Sequence, residues 1–366
     1  MAHDSLSNDD WQTILKRLGG AAKLEASARE CKAFVRPREI KSAVDLLRMV
    51  LVLCLSHAGL RSTTAWATAI GLVDISSPGL LYRLRQCGPW LEALIGHVLA
   101  ARPPRSVQQR PIRIIDGTTV PKAGGAGSNN KLWRVQCAFD LPTERFSAFE
   151  LSDETEGETL DRIAVVKGEI RIADRAYMQP ERMAIVLDQG ADLIIRAGWR
   201  SVRWRTVDGT PLDLIAVLEE ADKKGRVDRA IAIAPKTGPL LRLRLVAVKK
   251  PAEAAAAARE KAKREAQRGG HQLAPQTLVA AEWVILVTSL AADAVSADDI
   301  LALYRLRWRI ELAFKRLKSV VGLRGPPGTD ERSAKPFVLA HLLLILLLEP
   351  LVDAFEDSPR SDLRAA

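Results

Sequence analysis

Three carboxylates stand out by their surroundings. Asp116 follows an apolar run in R-I-I-D-G-T, Asp174 follows another in I-R-I-A-D-R-A-Y, and Glu311 lies within L-Y-R-L-R-W-R-I-E-L-A-F-K-R-L-K. Two aspartates at strand ends and a glutamate form an all-oxygen donor set of the kind a hard divalent cation takes. A pair of such ions can activate a water and stabilise a leaving oxygen. Around Glu311, the residues Tyr304, Arg307, Glu311 and Lys318 are separated by three, four and seven positions. At about 100° per residue, one continuous helix would carry them all on one side. Leu303, Leu306, Ile310, Phe314 and Leu317 then supply a separate packing face. Other readings stay open at this point. An acidic residue after an apolar strand is common in α/β proteins, and Arg307 to Glu311 is also the spacing of an ordinary surface ion pair on a helix.

The elements needed to position these groups are legible as hydrophobic patterns. Residues 112–115, 132–139 and 145–151 read as strands, 159–167 as a helix, and 170–173 as a fourth strand. Residues 181–189 read as a second helix and 193–196 as a fifth strand. The order β-β-β-α-β-α-β predicts an α/β protein with a ribonuclease H-like mixed sheet, its first and fourth strands side by side. Strand-like pieces at 201–207, 229–234 and 241–249 then interrupt this order. They precede the run A-E-A-A-A-A-A-R-E-K-A-K-R-E-A-Q-R, which has high helix propensity and a basic face. That run reads first as a solvated helix or flexible arm and second as a DNA clamp. The core resumes with a strand at 283–288 and a long helix at 299–321.

Residues 1–100 read as helical. Within them, 63–70, a turn at 71–77 and 78–87 are compatible with a helix-turn-helix whose second helix carries Tyr82, Arg83, Arg85 and Gln86, and equally with plain bundle packing. The expected organisation is a helical DNA-binding region over 1–100, the first part of the core over 101–197, and a strand-rich insertion over 198–280. The second part of the core spans 281–330, and a C-terminal helical tail spans 331–366.

Composition narrows the partners. Lys plus Arg number 54 against 44 Asp plus Glu, a net charge of +10 with a pI near 9.6, which favours a polyanion. Cys31, Cys54, Cys87 and Cys137 make no C-x-x-C pair, which fits a reducing cytoplasm. No signal peptide is evident, and the apolar stretch 338–348 is about half of the ~20 residues that span a bilayer, so it reads as a buried core helix. Gly124-Gly125-Ala126-Gly127 lacks the G-K-[ST] ending of a nucleotide-phosphate loop and reads as a mobile loop beside the site. His3, His57, His97, His271 and His341 have no ligand spacing.

The sequence Y-x2-R-x3-E-x6-K, met at Tyr304, Arg307, Glu311 and Lys318, resembles without a gap the Y-R-E-K signature of bacterial insertion-sequence DDE transposases of the family numbered four. D-G-T at Asp116, A-D-R-A-Y at Asp174 to Tyr177 and L-I-I-R at Leu193 to Arg196 are similar to that family's other motifs, over roughly 112–323. The resemblance implies Asp116, Asp174 and Glu311 as catalytic, metal-binding residues using Mg²⁺, with Mn²⁺ able to substitute. It implies DNA contacts by Tyr304, Arg307, Lys318 and Arg196, and a flipped base stacked on Trp283, a residue that also reads as a tryptophan buried against the sheet. It further implies cleavage of transposon ends, transfer of their 3′-hydroxyl strands to target DNA, and a homodimer on paired ends in a bacterial nucleoid. The partners would be double-stranded terminal inverted repeats and target DNA, with no membrane. The 137 positions between Asp174 and Glu311 are accounted for by an insertion of the family's kind. A cleavage-only nuclease with this fold, or a DNA-binding regulator derived from a transposase, are the alternatives.

Overall fold

The computed structural model of the chain describes residues 8–55, 59–101, 110–122, 132–153, 155–270, 272–319, 322, 323, 326 and 331–356. The glycine-rich stretch 124–127, most of the expected linker at 101–110, and His3, His57 and His271 lie outside them.

The N-terminal region is helical, with α1 (Asn8–Arg17), α2 (Ala21–Glu30), α3 (Ala43–Leu55), α4 (Leu60–Ala69), α5 (Ser77–Gln86) and α6 (Gly88–Ala100). The sequence of α3, A-V-D-L-L-R-M-V-L-V-L-C-L, is apolar nearly all round, so this helix is buried along most of its length. Ser76 caps α5 by accepting the Gly79 N–H, and Pro78 occupies its first turn, where a missing N–H costs nothing. The connection from α4 to α5 spans 70–76, longer than the three or four residues of a usual helix-turn-helix.

The remainder is a mixed α/β assembly. It begins with β1 (Ile112–Pro121), β2 (Leu132–Asp140), β3 (Arg145–Asp153), β4 (Ile170–Ala173), α7 (Pro180–Asp188) and β5 (Asp192–Arg196). Next come β6 (Arg203–Arg205), α8 (Leu214–Glu220), β7 (Arg226–Ala234), β8 (Leu241–Lys249), α9 (Ala252–Arg268) and α10 (Pro275–Ala281). The chain continues through β9 (Trp283–Thr288), α11 (Ala297–Arg305), α12 (Trp308–Ser319) and α13 (Glu331–Glu356). One nine-stranded sheet runs in the order β3-β2-β1-β4-β5-β9-β8-β7-β6. β1 lies parallel to β4, and β4 parallel to β5, while the other pairings are antiparallel. The strands from the 198–280 stretch therefore extend the same sheet through β9.

One apolar core fills the space between the N-terminal helices, α12, α13 and one sheet face, and a second covers the other face beneath α7 and α8. The stretch 338–348 is the buried heart of α13, which lies against α3, α5, α6 and β3.

Three expected elements differ. β1 does not stop at Asp116 but continues to Pro121, because β2 pairs with it all the way to Leu132. Residues 159–167 form turns and no helix. Their carbonyls are claimed from outside: Arg171 donates to Leu160 and Ala164, and Arg113 to Ala164. Glu169 holds both guanidiniums, at 2.8 Å from Arg113 and 2.6 Å from Arg171, in a fully buried cluster. The long helix expected at 299–321 is broken at Leu306 and Arg307, where the N–H groups bond three residues back, to Leu303 and Tyr304.

Candidate active site

Asp116 projects from β1 just beyond the last pairing of that strand with β4, Ile114 with Ile172. Its Oδ1 accepts the Gly117 N–H at 2.8 Å and its Oδ2 faces the Arg307 guanidinium at 3.3 Å. Asp174 follows β4 directly and caps the short 3-10 turn Arg175–Tyr177 through the Ala176 N–H, at 2.7 Å. The parallel pairing of β1 and β4 thus places both aspartates on one edge of the sheet.

Glu311 comes from α12. That helix is held by buried Ile310, Phe314 and Leu317, by the Phe314 ring 5.8 Å from Phe146, and by an ion pair from Arg309 to Glu144 in the β2–β3 turn. The other nitrogen of Arg307 pairs with Glu311, so one guanidinium joins the carboxylates of β1 and α12. Burial opposes the charge on Arg307, but the bond to Glu311 and the nearby Tyr304 and Asp116 keep its pKa above the ordinary value. Burial pushes the Asp116 carboxyl up to about 6, against the Gly117 N–H and Arg307, with the charges of Asp174 and Glu158 adding to the rise.

The break between α11 and α12 divides the four residues read as one helical face. Tyr304, at the end of α11, and Arg307 line a cavity of about 320 Å³ together with Asp174, Arg196 and Trp283. Glu311 and Lys318 instead border an open groove of about 600 Å³ with Asp116 and Phe314. Arg307 is the bridge between the two. Tyr304 is largely buried, which raises its hydroxyl pKa. Trp283 is only 2% exposed, packs in the second apolar core and also lines this cavity.

Residues 107–347 match the family described as "Transposase DDE domain". Over 360 residues the chain is 36% identical to the putative transposase InsL for insertion sequence element IS186A of Escherichia coli strain K12, with 96% of each chain covered. It is also 36% identical over 361 residues to the transposase for insertion sequence element IS421 of Escherichia coli, again with 96% of each covered. The chain belongs to the DDE transposases. It is therefore a DNA transposase, an enzyme of a family whose chemistry depends on a divalent metal.

The donor chemistry of the transposase suits such an ion. Asp116, Asp174 and Glu311 offer oxygen alone, which suits a hard divalent cation, and Asp116 is a half-buried carboxylate whose charge a cation would stabilise. Arg307 pairs with Asp116 and Glu311, while Asp174 accepts from the Ala176 N–H. Among the described residues, no three Asp, Glu, His or Cys side chains lie close enough together to hold one ion.

Several groups at the transposase site had no signal in the reading of motifs. Trp199, Lys250 and Lys261 line the cavity of Asp174, and Lys250 is held below its ordinary pKa by burial and by Arg196 and Lys261. Trp199 follows β5 in R-A-G-W, a position that the family motif L-I-I-R could have pointed to. The basic run at 252–268 forms a largely solvent-exposed helix, the first of the readings given to it, docked along one side. α9 packs on α10, buries Ala255 and Ala266, pairs Arg259 with Glu282, and walls the cavity with Ala258 and Ala262. No helix among the described residues is long and apolar enough to cross a membrane.

Proposed function

We propose that this transposase cuts the ends of an insertion sequence and joins the freed 3′-hydroxyl strands to target DNA, with Asp116, Asp174 and Glu311 as its metal-binding catalytic residues. The observation that carries this reading is the meeting of β1, β4 and α12: Arg307 ties Asp116 to Glu311 while Asp174 stands on the adjacent parallel strand. The strand order β3-β2-β1-β4-β5, with two parallel pairings at its centre, supports a ribonuclease H-like core.

Bound there, two Mg²⁺ ions, for which Mn²⁺ substitutes, would activate the attacking water or 3′-hydroxyl and stabilise the leaving oxygen. The chain's own groups hold the DNA around them. Arg307, Lys318 and Arg196 offset phosphate charge, and the Tyr304 hydroxyl orients a phosphate oxygen beside Asp174. The cavity that adjoins Asp174 is lined by the aromatic rings of Trp283 and Trp199 and by the cations Arg175, Lys250 and Lys261, features suited to a base with its phosphate.

Away from the site, Lys32, Arg36, Arg38, Arg83 and Gln86 line a depression of about 640 Å³ beside Tyr82, which is 61% exposed on α5. This surface fits recognition of the duplex terminal repeat by residues 1–100. Residues 101–197 and 281–330 would then form the catalytic core, 198–280 the insertion and 331–366 the tail. A homodimer on paired ends in the nucleoid, and membership of the family numbered four, complete the proposal.

Joining separates this function from cleavage alone. A pre-cut terminal-repeat duplex with a free 3′-hydroxyl, incubated with the protein, a supercoiled plasmid and Mg²⁺, is expected to give covalent end-to-plasmid products. Cutting of intact ends with no joined product under any divalent metal would make the protein a nuclease.

A further inference from the structure

Between the carboxylates of β1 and α12 stands a cation that the chain itself supplies. One terminal nitrogen of Arg307 lies 3.3 Å from Oδ2 of Asp116, and the other pairs with Oε1 of Glu311. A guanidinium presents its N–H donors as a rigid planar fork, and here the fork is divided between two carboxylates. A pair such as Arg307 to Glu311, four positions apart, forms on many surface helices. The contact with Asp116, 191 positions away in sequence, is a product of the fold.

The backbone gives this side chain a second place to go. Arg307 lies at the break between α11 and α12, where the N–H groups of Leu306 and Arg307 bond three residues back at 3.1 and 3.0 Å. Such tight bonding inside a helical stretch marks a point of bending. From the break, Arg307 also lines the cavity of Asp174, and its guanidinium is hydrogen-bonded to the Tyr304 hydroxyl there. The described lining of that cavity holds five cations, Arg175, Arg196, Lys250, Lys261 and Arg307, against the two carboxylates Asp174 and Glu265. That excess repels a guanidinium turned fully into the cavity unless an anion enters with it.

A divalent cation shared by Asp116 and Glu311 needs the oxygens that Arg307 holds, so the guanidinium and the metal ion compete for them. We propose that Arg307 stands in for the cation until a DNA phosphate enters the cavity and draws it off, so that metal and DNA load the site together. The proposal rests on the reading of Asp116, Asp174 and Glu311 as metal-binding residues. Releasing a largely buried guanidinium with no new partner is costly, and a phosphate offers it the same forked pairing as a carboxylate. The coupling is reciprocal: DNA raises the affinity for metal by the factor by which metal raises the affinity for DNA. It gives the break at Leu306 and Arg307 a use, as the hinge of the exchange. It also accounts for the separation of the acids, no three of which lie close enough among the described residues to hold one ion: with Arg307 aside, Glu311 can close on Asp116.

The test is Mn²⁺ binding by the full-length protein without DNA, measured by calorimetry, with thermal melting as the control for folding. Arg307→Gln is expected to bind Mn²⁺ about tenfold more tightly than the wild type, a factor usual for coupled sites. Lys318→Gln removes the same charge from an exposed side chain on the groove of Glu311, and is expected to change the affinity by less than about twofold. Unchanged or weaker binding in Arg307→Gln overturns the proposal. An equal gain in Lys318→Gln overturns it too, since net charge alone then explains the effect. Glu311→Gln separates this from the reading beneath it. Binding lost in Glu311→Gln with no gain in Arg307→Gln leaves the metal site standing and removes the role of Arg307, whereas normal binding in Glu311→Gln removes both. Should Arg307→Gln fail to fold, Arg307→Lys decides: its ammonium has no fork to divide between two carboxylates, so tighter binding is again expected, and unchanged affinity overturns the proposal.

Discussion

Burial raises the Asp116 carboxyl from 3.8 to about 6 even though the Gly117 N–H and Arg307 both favour its ionised form. A folded-state pKa above the unfolded one means that the fold favours the protonated acid. The stability this contributes is fully present below about pH 3.8 and is lost as the pH rises through about 6. At neutral pH the ionised side chain is therefore a cost, of roughly 2–3 kcal/mol at about 1.4 kcal/mol per unit. In metal-free protein, Asp116→Asn should raise the melting temperature at pH 7.5, with the gain shrinking toward zero below about pH 4. Melts across that range in chelator check this, and a difference independent of pH would contradict it. The residue types at the site were legible in the sequence because Asp116, Asp174 and Glu311 each end or interrupt an apolar pattern.

Patterning located most elements but could not supply the tertiary claims on their backbones. Residues 159–167 have the composition of a helix and fail to form one because buried Arg113 and Arg171 take its carbonyls. The stretch 299–321 has continuous helical periodicity, yet it breaks at Leu306 and Arg307, next to the guanidinium that reaches both Asp116 and Glu311. Periodicity records only which face is apolar, so it cannot register a break made for a polar contact. The alanine-rich α9 presented the reverse problem: its composition suits solvent, but its small residues allow close packing beside the cavity of Asp174. Filling that space tests what it does. Ala262→Phe is expected to reduce cleavage at a transposon end by tenfold or more with a smaller loss of affinity for the terminal-repeat duplex, since residues 1–100 are assigned most of that binding. Cleavage and mobility-shift assays on one preparation check both, and undiminished cleavage would remove the cavity from the DNA path.

At the scale of the molecule, a single sheet links the parts that the sequence divided. β5 and β9 pair directly, and β9 carries on into β8, β7 and β6, so the strands of the 198–280 stretch belong to the same sheet as β1 to β5. The N-terminal helices share one apolar core with α12, α13 and the sheet, so the helix that presents Glu311 rests on the same packing as the proposed DNA-binding surface. The succession of strands along the chain was readable in advance from their apolar patterns, and the structure pairs the first strand with the fourth, as expected. The pairing of β5 with β9 and its continuation into β8 was not readable, because pairing partners distant in sequence leave no local mark. The central claim is that this framework brings Asp116, Asp174 and Glu311 together as the metal site for DNA strand cleavage. Its most direct test is Mg²⁺-dependent nicking of a duplex bearing the element's terminal repeats, by wild-type protein and by Glu311→Gln, with DNA binding followed in parallel. The account predicts cutting at the repeat end by the wild type, and a loss of at least a hundredfold in Glu311→Gln with binding retained. Cutting by Glu311→Gln at the wild-type rate would contradict it.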